Sequence, residues 1–270
     1  MHQLSIDVAV GACAMLYAVG QLFKIVIPTH YFFLLAIGTL IIYWVDHVLD
    51  SQNPLLVQPN KRHFIFNKYK PFFLVAIISL ITINAYYSIV FLSRVELLFG
   101  LILLGSLGLY LFYHKKLVRI FILEKELLIS SLYVTSILFA PITIINGSIL
   151  SYSSISLLIV GLNLMLLALQ NLFSMSVIES TLDSENAIKN ITQIYGPTKI
   201  REVQAAMLML QIVLSIILWI LIPTQITFHF CLLILFISTL QYLLPRIFKQ
   251  PQNNVYRMLA DGVFVLVLVV

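Results

Sequence analysis

Two pairs of acidic residues are the groups in this chain best placed to do chemistry. Asp46 and Asp50 occur in the segment YWVDHVLD, and Glu179 and Asp183 occur in VIESTLDSENAIKN. Each pair has i, i+4 spacing, which puts both carboxylates on one helix face with Cβ atoms about 5–6 Å apart. Like charges this close repel, and their oxygens suit a hard cation such as Mg²⁺, which also binds substrate phosphates. We therefore expect all four to be metal ligands and catalytic residues. The alternative is that they are solvated helix ends.

Basic residues follow each acidic pair along the chain. Arg62 comes twelve residues after Asp50, and Lys189 comes six residues after Asp183. An arginine side chain holds phosphate through two parallel hydrogen bonds, and a lysine side chain binds it as a point charge. We therefore predict that Arg62 and Lys189 bind the phosphate groups of a substrate. The alternative is that they only keep their loops at the cytoplasmic surface.

Several other polar residues lie in apolar segments. Asn171 is predicted to line a cavity, although a hydrogen bond between helices would also explain it. Tyr43 is predicted to be a second cavity residue, since an aromatic ring attracts a cation. His47 lies on a different helix face from the two aspartates and is expected to matter little. Arg257 and Asp261 are four residues apart, a spacing that allows an ion pair within one helix.

The composition requires a membrane environment for these residues. Hydrophobic residues make up 61% of the 270 residues and charged residues 10%, whereas soluble proteins have about 25% charged residues. The mean hydropathy is +1.02. The apolar segments do not alternate with polar residues, so they indicate helices and not the strands of a transmembrane barrel.

Nine segments are long and apolar enough to predict transmembrane helices. A helix of about 20 apolar residues crosses the hydrocarbon core of a bilayer. The sequence therefore predicts an all-α, polytopic membrane protein with about nine transmembrane helices. The predicted spans are 4–27, 30–49, 71–93, 95–114, 126–146, 153–178, 202–223, 227–248 and 253–270.

The distribution of basic residues predicts the orientation of these spans. Fourteen of the sixteen lysines and arginines fall on the side that holds the N-terminus, and only Lys24 and Arg94 fall on the other. Basic loops stay in the cytoplasm, so we expect a multi-pass protein of the inner (cytoplasmic) membrane with a cytoplasmic N-terminus. Membrane topology accounts for the basic balance, and no nucleic acid is expected as a partner.

The first acidic motif and the helix layout resemble the UbiA-type superfamily of intramembrane prenyltransferases. Members of that family have nine helices and carry an aspartate-rich motif after the second helix, roughly NDxxDxxxD. Asp46 and Asp50 match the second half of this motif. Ile42 and Tyr43 occupy the places of its leading Asn and Asp.

The second acidic motif is similar to the family's other motif, which follows the sixth helix and reads roughly DxxxD and then GIKS. Glu179 and Asp183 match its acidic positions, and the segment AIKN that contains Lys189 matches GIKS. The substitutions are Glu for Asp, Ala for Gly and Asn for Ser.

The resemblance implies a single UbiA-like domain over residues 1–270 with a central cavity open to the cytoplasm and the membrane. It implies Mg²⁺-dependent transfer of an isoprenyl group from an isoprenyl diphosphate to a lipophilic or aromatic acceptor. Membrane lipid is a further expected partner. Two alternatives stay open: a non-catalytic, lipid-binding relative, and a membrane transporter on the same helical scaffold.

Overall fold

The protein is a bundle of α-helices. The computed structural model describes residues 5–51, 61–117, 122–145, 152–185, 190–248 and 255–269. Of these residues, 92% are helical and none lies in a strand. The first six helices are α1 (Ile6–Leu22), α2 (Thr29–Asp50), α3 (Lys61–Lys68), α4 (Lys70–Phe91), α5 (Arg94–Leu117) and α6 (Ile122–Ile144). They are followed by α7 (Tyr152–Glu185), α8 (Ile191–Tyr195), α9 (Pro197–Leu221), α10 (Gln225–Ile247), α11 (Val255–Gly262) and a 3₁₀ segment (Val263–Val269).

Six helices in the described part of the chain are long and apolar enough to cross a membrane: α2, α4, α6, α7, α9 and α10. The expected all-α, multi-pass class is therefore confirmed, whereas the count of nine spans is not. With 17 residues, α1 is about 25 Å long, shorter than the ~30 Å core of a bilayer. The predicted ninth span is divided, because α11 ends at Gly262 and the chain continues as a 3₁₀ segment. Glycine is a poor helix former, which favours this break.

Short-range hydrogen bonds fix where two of the helices begin. The backbone N–H of Ser93 donates to Glu96 Oε2 at 2.7 Å, and the N–H of Glu96 donates to Ser93 Oγ at 3.4 Å, ahead of α5. Asn190 and Gln193 form the same reciprocal pair at the start of α8. Such capping boxes satisfy backbone donors that have no partner within the helix.

Two helices, α1 and α7, make the contacts that organise the bundle. The long helix α7 packs against α6, α9 and α10, while α1 packs against α2, α6 and the α11–3₁₀ segment. The approach of α1 to this segment is close: a Cβ on Gly11 would lie 3.0 Å from Phe264 Cβ. The first and last helical segments of the chain are therefore neighbours, and they close the bundle beside α7.

A seam of polar side chains joins α7, α9 and α10 inside the bundle. We call it the polar seam; its fully buried members are Gln170, Ser174, Gln204, Gln211, Ser238 and Gln241. Gln211 Oε1 accepts from Gln170 Nε2 at 2.9 Å and from Ser238 Oγ at 2.7 Å. Ser174 Oγ accepts from Gln204 Nε2 at 2.8 Å and donates to the carbonyl of Gln241 at 2.6 Å. These bonds hold the three helices in one register.

Replacing Gln211 with leucine should destabilise the folded protein by about 2 kcal/mol. The change removes two accepted hydrogen bonds and one donated to the Asn163 carbonyl, and interhelical bonds in membranes average about 0.6 kcal/mol each. The free energy of unfolding in mixed detergent micelles measures the loss. Met209→Leu, at an exposed position two residues earlier on α9, is the matched control and should have no effect. Equal stability of the two variants would contradict a stabilising role for the seam.

Candidate functional site

Helix α7 carries the second acidic pair beyond the apolar layer. Its 34 residues span about 51 Å, whereas a bilayer core is only ~30 Å thick. No proline or glycine interrupts it after Gly161. Its last turns therefore reach past the membrane core and carry Glu179 and Asp183 with them.

Glu179 is held by two consecutive residues of α11. Tyr256 donates its hydroxyl proton to Glu179 Oε1 at 2.6 Å, and Arg257 Nε donates to the same oxygen, with which Arg257 Nη2 also forms an ion pair. Tyr256 is 1% exposed, and the side chains of Arg257 and Glu179 are 15% and 13% exposed. The four-residue spacing of Arg257 and Asp261 allowed an ion pair within α11. The structure instead gives Arg257 a partner on α7, so the guanidinium supplies the positive charge beside Glu179.

A second contact between α7 and α11 lies at Asn171. Asn171 Nδ2 donates to Asp261 Oδ1 at 3.1 Å. Tyr133 of α6 is close enough to two residues to interact with them electrostatically: Asp261 of α11 and Tyr43 of α2. The two predicted substrate-binding residues Asn171 and Tyr43 are therefore in the same interior region, where α2, α6, α7 and α11 bring polar side chains together.

Asp183 ties the end of α7 to α8. Its Oδ2 accepts a hydrogen bond of 2.7 Å from Asn190 Nδ2, and the same Nδ2 donates to the carbonyl of Ser176 at 3.2 Å. Ser176 and Thr192 also share a hydroxyl bond of 2.9 Å. Asp183 itself is half-buried. Its carboxylate thus accepts a hydrogen bond from a neutral amide, and Glu179 accepts one from a cation.

The first acidic motif lies on the last two turns of α2. Asp46 is half-buried. His47 is 1% exposed, and its Nε2 lies 2.9 Å from Ser5 Oγ. The His47 ring packs edge-on to Tyr43 and to Phe66, with ring centroids 6.1 and 5.0 Å away. His47 is therefore a packing residue that connects α2 to the start of α1 and to α3.

Three predicted site residues have no described side-chain structure. Asp50 and Arg62 belong to α2 and α3, but their side chains lie outside the described part of the chain, and Lys189 lies outside the described residues altogether. Their phosphate- and metal-binding roles stay predictions. Tyr256 and Arg257 were not predicted to belong to the site. The signal for Arg257 was a basic residue next to a strongly apolar segment.

A preformed metal cage is absent from the described residues, since no three His, Cys, Asp or Glu side chains are grouped to hold a metal ion. Mg²⁺, however, is typically bound by one or two carboxylates together with water and substrate phosphates. The half-buried carboxylates of Asp46 and Asp183 have the oxygen chemistry for that mode of binding. Glu179 would take part only through its second oxygen or after Arg257 moved away.

Comparison of this chain with known proteins gave no match. No family model, no curated protein and no solved structure matches it. Its function is therefore inferred from the side chains described above.

Proposed function

We propose that this protein is a UbiA-like membrane prenyltransferase, which transfers an isoprenyl group from an isoprenyl diphosphate to a lipophilic or aromatic acceptor. The observation that carries the proposal is the cluster of Glu179, Arg257, Asn171 and Asp261 between α7 and α11. The side chains of Glu179 and Arg257 are largely buried, and buried charges are costly unless they are paired. A diphosphate headgroup suits the charged cluster, and a hydrocarbon tail suits the helices around it.

The chemistry of each side chain gives its proposed role in the reaction. Asp46 and Asp183, with Asp50, would hold Mg²⁺, which when bound offsets the negative charge that develops on the departing diphosphate. Arg62 and Lys189 bind phosphate oxygens. The rings of Tyr43 and Tyr133 stabilise positive charge on the allylic fragment. The apolar walls keep water away from that fragment until the acceptor reacts.

Lipid binding without transfer is the second candidate. The Arg257–Glu179 ion pair favours it, because this pair already neutralises one of the four predicted metal ligands. A protein that only binds an isoprenyl lipid would need the cationic residues but not a metal site.

Product formation separates the two candidates. Purified protein in lipid nanodiscs is incubated with isoprenyl diphosphates of ten to twenty carbons, Mg²⁺ and a cell lipid extract, and the lipids are then analysed by mass spectrometry. A prenyltransferase yields an acceptor heavier by one isoprenyl group, together with free diphosphate, and a chelator abolishes both. Binding without product would support the lipid-binding candidate. Absence of both binding and product would refute the proposal.

The proposed cytoplasmic N-terminus predicts the side of the membrane on which six loops lie. Reporter fusions after residues 60, 120, 190 and 250 should all report the cytoplasm, because the loops on the side of the N-terminus carry fourteen of the sixteen basic residues. Fusions after residues 93 and 224 should report the opposite side. A cytoplasmic signal at either of these two positions would break the proposed alternation of spans.

A further inference from the structure

In the ion pair between α7 and α11, Glu179 and Arg257 each have a polar atom that the pair does not use. All three bonds to Glu179 end on its Oε1, so Oε2 has no donor among the described residues. Arg257 uses Nε and Nη2, and its Nη1 has no acceptor among them. An ion pair that served only to join two helices would be expected to use the two-pronged geometry, in which two nitrogens bind two oxygens. Here one edge of the guanidinium is available to another anion.

We propose that Arg257 is a headgroup-binding residue that exchanges partners. It pairs with Glu179 in the ligand-free protein and turns to the diphosphate when an isoprenyl diphosphate binds. This inference rests on the proposed function, which supplies the diphosphate. It gives Arg257 of α11 a direct role toward the diphosphate, beside the site residues predicted between positions 43 and 189.

The surroundings of Arg257 allow this exchange without movement of the helix. The preceding residue, Tyr256, is buried, and the carbonyl of Ala260 accepts a hydrogen bond of 2.8 Å from Gln241 of the polar seam. The 3₁₀ segment that follows packs on α1. The backbone of α11 is therefore anchored on both sides of Arg257, while the arginine side chain is partly exposed. Rotation about its own side-chain bonds is sufficient to change its partner.

Electrostatics favours the diphosphate over the carboxylate. Glu179 presents one negative charge to Arg257, whereas a diphosphate presents more than one, and Coulomb attraction scales with the product of the charges. The guanidinium also matches two phosphate oxygens in its forked geometry. Loss of the guanidinium leaves Glu179 intact and unpaired, so the carboxylate becomes available to a cation or a proton.

The test compares Arg257→Met with Arg257→Lys and with Glu179→Gln, using farnesyl diphosphate and its uncharged alcohol, farnesol, as probes. We expect Arg257→Met to weaken farnesyl diphosphate binding by roughly ten- to a hundredfold, which is the effect of losing a charge-assisted contact. Farnesol binding should not change. Arg257→Lys should fall between Arg257→Met and the wild type. In the absence of Mg²⁺, Glu179→Gln should bind the diphosphate at least as tightly as the wild type, because Arg257 no longer has a competing carboxylate.

The double variant Glu179→Gln/Arg257→Met separates binding from folding. It removes the unpaired carboxylate, so its melting temperature should recover relative to Arg257→Met, while its affinity for farnesyl diphosphate stays low. Recovery of both would show that the pair is only a structural link and would overturn the inference, as would wild-type affinity in Arg257→Met. In either case the proposed function would stand. If the wild-type protein binds no isoprenyl diphosphate of any length, the proposed function fails and takes this inference with it.

Discussion

Asp183→Asn should reduce isoprenyl transfer roughly ten- to a hundredfold, because it removes one charge-assisted contact worth about 1.5–3 kcal/mol. Asp183 accepts a hydrogen bond from Asn190 Nδ2, and an asparagine at position 183 keeps a carbonyl oxygen in place to accept it. The variant therefore loses its charge while the connection between α7 and α8 stays intact.

The control for this prediction lies on the same turn of α7. Glu185 is exposed at the end of the helix, so Glu185→Gln removes the same charge without touching the proposed site and should leave the rate unchanged. Asp46→Asn should reduce the rate in the same range as Asp183→Asn. The assay is product formation by folded protein in nanodiscs. Wild-type rates in both aspartate variants would show that the acidic pairs are solvated helix ends.

Gly11→Leu should destabilise the folded protein by at least about 3 kcal/mol, the upper part of the usual range for overpacking. A Cβ at this position would lie 3.0 Å from Phe264 Cβ and 3.7 Å from the carbonyl oxygen of Asp261. A leucine adds three further carbons in the same direction. The added side chain forces α1 away from the α11–3₁₀ segment. Unfolding by detergent titration, followed by circular dichroism, measures the loss.

Gly100 provides the matched control, since it is also a helical glycine and a Cβ there would have nothing within 4 Å. Gly100→Leu should be neutral or slightly stabilising, because leucine is the better helix former. Gly11→Leu combined with Phe264→Gly, which removes the Cβ that the new side chain meets, should lose less stability than the two single variants added together. Additive losses would indicate that Gly11→Leu acts elsewhere than at this contact.

The sequence predicted the helices well because apolar length is a local property. All six helices that the structure shows to be long and apolar enough to span a membrane were among the predicted spans. The first and last spans were predicted less well. Their apolar composition does not reveal that α1 has only 17 residues or that α11 ends at Gly262, because these boundaries depend on how the ends of the bundle pack.

The partners of the site residues could not be predicted in the same way. Arg257 and Asp261 have the spacing of an ion pair within one helix, but the ion pair in the structure joins Arg257 to another helix. The partner, Glu179, is 78 residues away in the sequence, and only the docking of α11 on α7 brings the two together. Asn171 was predicted to line a cavity or to form a hydrogen bond between helices. The structure shows such a bond, to Asp261 of α11, and it depends on the same docking.

The glutamines of the polar seam show the same limit. Gln170 of α7 bonds to Gln211 of α9, 41 residues away in the sequence. Nothing in the local pattern around Gln204, Gln211 and Gln241 distinguishes a buried amide from an exposed one. Burial is decided by the rotation of each helix about its own axis, which follows from packing over the whole bundle.

The contact between α1 and the 3₁₀ segment can form only late in synthesis of the chain. Phe264, which lies against Gly11, is translated about 250 residues later. At about 5–20 residues per second, this delay is roughly 10 to 50 s. Throughout that time α1 can satisfy its own backbone hydrogen bonds in the lipid, but the face that carries Gly11 has not yet met Phe264. A chain halted before residue 255 therefore presents this face to lipid, to a membrane insertase or to the quality-control proteases of the membrane.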